Sequence, residues 1–159
     1  MENCNFISDD VELGKDVRLT KFLNLYGCKI GDGSQIGPFV EIQKKATIGC
    51  RCKISSHTFI CEGVFIGDES FIGHGVVFVN DNHPRAVADN GELEKDADWK
   101  GRFVETHIGK RVSIGSNSTI LGGLSIADGA LVGAGSVVTK NIGKNEIWAG
   151  VPAKKIGNR

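Results

Sequence analysis

Three side chains stand out for the chemistry that their spacing allows. Glu62 lies eighteen residues before Asn80, and Asp81 follows directly. Two carboxylates and an amide brought together can hold an ammonium group and accept its proton. A hydroxyl is far less acidic and calls for a positioned base such as histidine. His83, in Asn82-His83-Pro84, is the candidate for that role. Of the remaining histidines, His57 and His74 fall on outward positions where they could touch a ligand, and His107 is expected to pack beneath a loop. No histidine pair has the spacing of a zinc site and the carboxylates are scattered, so no metal is expected.

The elements that must position these groups are set by a period of six. Ile30, Ile36, Ile42, Ile48, Ile54, Ile60, Ile66, Ile72 and Phe78 follow one another without interruption. Four residues after each of the first eight comes a small or β-branched side chain: Ser34, Val40, Ala46, Cys52, Thr58, Val64, Ser70 and Val76. Six matches neither the helical period nor simple strand alternation; it signals a repeat. Each hexad reads as one short strand and a tight turn, with the aliphatic and the small residue both inward. Three such strands close a triangular coil, and residues about eighteen apart stack one strand spacing away, roughly 4.8 Å. The fold class is therefore all-β, a parallel β-helix in which stacking buries what a single coil cannot. Glu62 and Asn80, each two residues after an inward position, should stack on adjacent coils of one face.

The period also runs through Ile7, Leu13, Leu19 and Leu25. Leu25 to Ile30 is one residue short, so a shortened turn is expected there, with the irregular first coils capping the prism. The pattern stops after Phe78 and resumes at Ile108, Ile114, Ile120, Ile126, Val132 and Val138. The charged stretch between, about residues 79–107, reads as an ordered inserted loop whose Pro84, Trp99 and Phe103 dock against a neighbouring subunit. A tail from about residue 141 leaves the repeat and is expected to fold back along the last coils. The whole chain of 159 residues reads as a single domain.

Composition excludes several classes. Formal net charge is zero, so no basic field invites nucleic acid or anionic lipid. No apolar run approaches a membrane span, and the opening residues Met1-Glu2-Asn3-Cys4 lack the basic region of a signal peptide. Five cysteines form no paired framework: Cys52 takes an inward slot and Cys50 an outward one, as in a reduced cytoplasmic protein.

The hexads ending in Val132-Gly133-Ala134-Gly135-Ser136-Val137-Val138-Thr139-Lys140, with Ala149-Gly150-Val151-Pro152-Ala153-Lys154 beyond them, resemble the hexapeptide-repeat acyltransferases. The resemblance implies a left-handed coil, an exception to the usual crossover hand, and acetyl-CoA as co-substrate. It puts Gly115, Ala134 and the Pro152-Ala153 turn along the pantetheine arm, with Lys140, Lys154 and Lys155 available for phosphates. The insertion Phe78-Val79-Asn80-Asp81-Asn82-His83-Pro84-Arg85-Ala86, with Ala97-Asp98-Trp99 downstream, is similar to that of sugar-nucleotide N-acetyltransferases. Those enzymes acetylate the 3-amino group of a dTDP- or UDP-linked hexose for surface polysaccharide. The same resemblance implies a homotrimer with sites between subunits, Glu62 and Asp81 binding and deprotonating the amine, and Asn80 orienting it or the thioester carbonyl. Arg85 would meet the nucleotide pyrophosphate. His83 departs from the aminosugar pattern and keeps an O-acetyltransferase reading open. A non-catalytic or metal-dependent β-helix is the other alternative, and would need a histidine triad at stacked positions.

Overall fold

The computed structural model describes residues 4–159. Almost every strand is two residues long, and the strands stack into three parallel sheets of seven, six and eight strands. The first sheet runs from Phe6–Ile7 to Val137–Val138, the second from Glu12–Leu13 to Ser125–Ile126, and the third from Arg18–Leu19 to the C-terminal strands. Successive strands pass from one sheet to the next, so the chain winds a three-sided prism, a left-handed parallel β-helix.

The register follows from the sequence period. Ile30 pairs with Ile48, Ile36 with Ile54, and Ile42 with Ile60, each eighteen residues on. Across the short step after Leu25 the stagger drops by one: Leu13 pairs with Ile30, Leu19 with Ile36, and Leu25 with Ile42. From Leu25 onward the expected inward residues form one continuous buried core. The small slots have a second function. Ser34 Oγ donates to the Gly49 carbonyl at 2.8 Å, Thr58 to Gly73 at 3.0 Å and Ser70 to Gly109 at 3.0 Å. A hydroxyl in a triangular corner thus satisfies a carbonyl of the next coil that would otherwise be buried unpaired. Cys52 takes the same slot, buried, while Cys50 is only part-buried.

The insertion leaves this register intact but displaces it. Ile66 pairs with Ile108, Ile72 with Ile114 and Phe78 with Ile120, a stagger of forty-two rather than eighteen. Twenty-four residues are therefore looped out, four hexads' worth. Chain exit and return are tied together, Val104 N to Asn80 O at 2.9 Å and Thr106 N to Gly63 O at 3.0 Å.

Both ends differ from the sequence reading. The inward residues of the first coil are poorly covered, Leu13 being 45% exposed, so these coils form an open end of the described chain rather than a sealed cap. The tail does not leave the repeat at residue 141. Ile142 bridges to Ile126, and Ile147 and Trp148 pair parallel with Leu131 and Val132. These apolar residues take stations that the repeat would give to aliphatics. The chain reverses only at Val151-Pro152, where the antiparallel strand Ala153–Asn158 closes the third sheet. No helix among the described residues is long and apolar enough to cross a membrane.

Candidate functional site

The prism has three edges, one after each sheet. Glu62 and Asn80 occupy adjacent coils on the edge that follows the first sheet, as their spacing requires. The contact runs through the backbone: Asn80 Nδ2 donates to the Glu62 carbonyl at 3.1 Å. The Glu62 side chain, 12% exposed, turns the other way, with Lys45 Nζ 2.7 Å from one carboxylate oxygen and Lys44 Nζ 3.7 Å from the other. It lines a cleft of about 520 Å³ between the edge and the returning limb of the insertion, together with Lys44, Lys45, Lys100, Glu105, Phe65, Phe103 and Val104. Lys100 ends the short helix Asp96–Lys100 of the insertion.

Asp81 is turned into the insertion rather than the cleft. One carboxylate oxygen accepts from the His83 amide at 2.9 Å and the other from Arg102 Nε at 2.9 Å. Partial burial pushes the Asp81 carboxyl up, but the His83 amide and the Arg102 guanidinium outweigh it and hold it below the ordinary value. Arg102 also grips Glu94 with both terminal nitrogens, at 3.0 and 2.7 Å. Glu94 is nearly covered, its side chain 2% exposed, and this bidentate pair fixes the insertion. Asn82 completes the anchorage by clasping the Gly122 peptide, donating to its carbonyl and accepting from its amide at 2.9 Å each. A side chain at Gly122 would strike the Val79 carbonyl, so glycine is needed there.

The other expected residues divide. Arg85 pairs with Glu94 at 2.6 Å through Nε and with Asp89 at 2.8 Å through Nη1, and it does not line the Glu62 cleft. The ring of His83 is exposed, and only its backbone is tied down. His57 and His74 lie on the edge after the third sheet, away from Glu62: their residues follow Ile54 and Ile72, not Ile60 and Phe78. His57 stacks on Phe39 at 4.8 Å, and His74 Nδ1 meets Ser56 Oγ at 2.8 Å, eighteen residues below. His107 does not tuck under the loop; it stacks on Phe65 at 4.9 Å with an exposed ring.

Lys140, Pro152, Ala153 and Lys154 line one groove of about 240 Å³, together with Thr139, Trp148 and Lys155. Lys155 is bonded to Glu146 at 2.8 Å, whereas neither Lys140 nor Lys154 has an ion-pair partner among the described residues. Two free ammonium groups beside a small turn suit a phosphate-bearing chain. Gly115 and Ala134 lie elsewhere, on the edge above His74, where Gly115 has no room for a side chain: a Cβ would clash with the Ala134 amide. One chain therefore carries the carboxylate cleft on one edge and the Gly115–Ala134 surface on another. Among the described residues no three His, Cys, Asp or Glu side chains gather as a metal site would require.

What the sequence reading missed is the set of partners supplied by non-periodic segments: Arg102, Glu94, Asn82 and the three lysines. The lysine pair was visible as Lys44-Lys45, directly one coil below Glu62.

Comparison with known proteins accords with this geometry. The family model for the bacterial transferase hexapeptide (six repeats) matches residues 27–62 and 105–140, the coils on either side of the insertion. The bifunctional protein GlmU of Acinetobacter baumannii (strain AYE) is 33% identical over 142 residues, covering 89% of this chain and 27% of that protein. GlmU of Sphingopyxis alaskensis is 31% identical, and 35% of its length is covered; the chain thus spans about a third or less of these curated relatives. Among solved structures, a mutant of AntD, an N-acyltransferase from Bacillus cereus in complex with dTDP and coenzyme A, superposes with a TM-score of 0.78 at 24% identity. The match covers 93% of this chain and 83% of that one. A hexapeptide-repeat acetyltransferase from Vibrio cholerae with acetyl coenzyme A gives 0.59 at 20% identity, covering 92% and 70%. The coils at residues 27–62 and 105–140 thus match the bacterial transferase hexapeptide family, and the chain shares the fold of these solved structures.

Proposed function

We propose that the chain is an acetyl-CoA-dependent N-acetyltransferase acting on the amino group, at C3, of a dTDP- or UDP-linked aminodeoxy sugar destined for surface polysaccharide, working in the cytoplasm as a homotrimer. The observation that carries this is Glu62: a nearly covered carboxylate, anchored beneath Asn80, facing a cleft with a cationic rim. An amine bearing an anionic nucleotide fits that combination of charges; a neutral sugar hydroxyl does not use it. AntD, which shares the fold, holds dTDP and coenzyme A, and that supports both ligand classes. The free ammonium groups of Lys140 and Lys154 support phosphate binding by the donor.

In this reading the bound donor supplies the acetyl thioester. The substrate ammonium gives a proton to Glu62, and the freed nitrogen forms its bond to the thioester carbon. The C–S bond breaks, and the second nitrogen proton leaves with the thiol sulfur. That thiol needs little acid help, since its pKa is near 8.5. Asp81, held ionised by Arg102, is a weak proton acceptor; it contributes field and loop geometry, while Asn80 orients the amine. The separation of the Glu62 cleft from Gly115 and Ala134 supports a site completed by a neighbouring chain. The exposed Val87 and Leu93 at the insertion tip support the same arrangement.

The test is mass spectrometry of products after incubation with acetyl-CoA and a panel of 3-amino and 4-amino nucleotide sugars. An acetamide on the 3-amino compound is expected. A hydroxylamine-labile ester would overturn the N-acetyl reading and move the chemistry to His83. A thermal-shift screen in which neither acetyl-CoA nor any nucleotide sugar raises the melting point would instead favour a scaffold.

A further inference from the structure

Glu62, on which the proposed reaction turns, is already occupied in the folded chain. Lys45 closes on one oxygen at 2.7 Å and Lys44 approaches the other at 3.7 Å. With one ammonium bonded and a second near, the carboxylate's charge is already largely offset, which weakens its hold on an incoming ammonium. Yet its partners are loosely held: the Lys45 side chain is 74% exposed and that of Lys44 46%. Exposed pairs of this kind are weak, and a lysine ammonium on its flexible stem changes partner easily. Lys100 faces the same cleft from the insertion helix, 2.6 Å from Asp96. Three lysines face two carboxylates in the lining, Glu62 and Glu105, which leaves the lining one positive charge in excess. The excess suits a multiply charged anion, and Arg85, paired with Glu94 and Asp89, does not line this cleft.

We propose that Lys44, Lys45 and Lys100 bind the diphosphate of the nucleotide-linked sugar, and that the diphosphate draws Lys45 off Glu62 and so frees the carboxylate for the amine. The second half rests on the N-acetyltransferase reading; the first does not. Lys45 then acts as a positioning residue that keeps Glu62 idle until the nucleotide end of the substrate is in place. Discrimination between a nucleotide-linked and a free aminosugar follows from activation as well as from affinity.

Two measurements test this, with Lys45→Gln and Lys44→Gln/Lys45→Gln as variants and inorganic pyrophosphate as the probe. In a thermal-shift titration, pyrophosphate should raise the melting point of the wild type, and the double variant should lose that rise. Equal shifts in both would overturn the diphosphate site. In turnover of a free 3-aminosugar with acetyl-CoA, the wild type should be slow. Lys45→Gln should be about tenfold faster, and added pyrophosphate should accelerate the wild type but not the variant. A Lys45→Gln protein that is slower on free and nucleotide-linked sugar alike would overturn the lock and leave Lys45 as a structural partner. If no aminosugar of any kind is acetylated while the pyrophosphate shift behaves as expected, the N-acetyl reading fails and the diphosphate site stands.

Discussion

Phe78 offers the sharpest test of how the prism supports the site. It is the one ring in a stack of aliphatic side chains, paired with Ile120 in the coil above, and with Ile60 in the coil below it is fully buried. Asn80 follows two residues later. Replacing Phe78 with Ala removes the ring from a triangular core whose walls are held by backbone ladders on three sides, so the cavity cannot collapse fully. The cost is about 3–5 kcal/mol, the range for Phe→Ala in cores. For a chain of this length each kcal/mol moves the melting point by about 2–4 °C, so a fall of about 6–20 °C is expected. Phe78→Ile restores the residue that the repeat uses elsewhere and should cost less than about 1.5 kcal/mol. Urea unfolding gives the energies, and amide exchange gives their location. In a solenoid each coil contacts only its neighbours, so loss of protection should centre on the strands at Phe59–Ile60 and Thr119–Ile120. A Phe78→Ala protein within 1 kcal/mol of wild type, or Phe78→Ile as damaging as Phe78→Ala, would refute the account.

Other outcomes follow from the same structure. Glu62→Gln should lower kcat/KM for the aminosugar roughly 100- to 10,000-fold while leaving the melting point nearly unchanged; full turnover in steady-state assays would remove Glu62 from the mechanism. The Glu146 carboxyl accepts from Lys155, the Trp148 indole and the Gly143 amide, and is held down to about 2. Its contribution to stability is therefore complete above the ordinary carboxylate pKa and is lost as pH falls from there toward 2. Glu146→Gln should melt lower than wild type at pH 7, and the gap should close by about pH 2. Burial pushes the Cys28 thiol up to about 11 and the Cys61 thiol up to about 12. A thiol reagent at pH 8 should therefore label Cys4 and Cys50 in the folded chain and all five cysteines only after denaturation, as counted by intact mass.

How much was legible beforehand depends on whether a contact obeys the period. The triangular coil, the inward residues and the stacking of Glu62 under Asn80 all follow from a stagger of eighteen. So does the missing residue after Leu25, which reappears as a uniform one-residue slip in three pairings. Contacts that cross the insertion were not legible. Counting hexads straight through would put Ile114 over Phe78, two full coils on, and Gly115 on the edge of Asn80. The looped-out segment is four hexads long, one more than a full coil, and this rotates all later residues by one edge: Ile114 lies over Ile72 instead. That is why Gly115 and Ala134 sit apart from Glu62. The Asp81–Arg102–Glu94 network lies wholly in aperiodic chain, where spacing says nothing about proximity. Nothing in the spacing points to Arg102, and only the folded chain shows Glu94 held by it and by Arg85.

The knot of bonds by which Asn80 and Gly63 receive the returning chain has a use beyond holding a loop. Because departure and arrival are stapled at one corner, whatever is strung between them is mechanically insulated from the tower of coils. Such a fold can exchange its excursion for a longer, shorter or chemically different one without renegotiating a single rung. Appetite for new substrates could then change by grafting at that corner while the tower stays as it is.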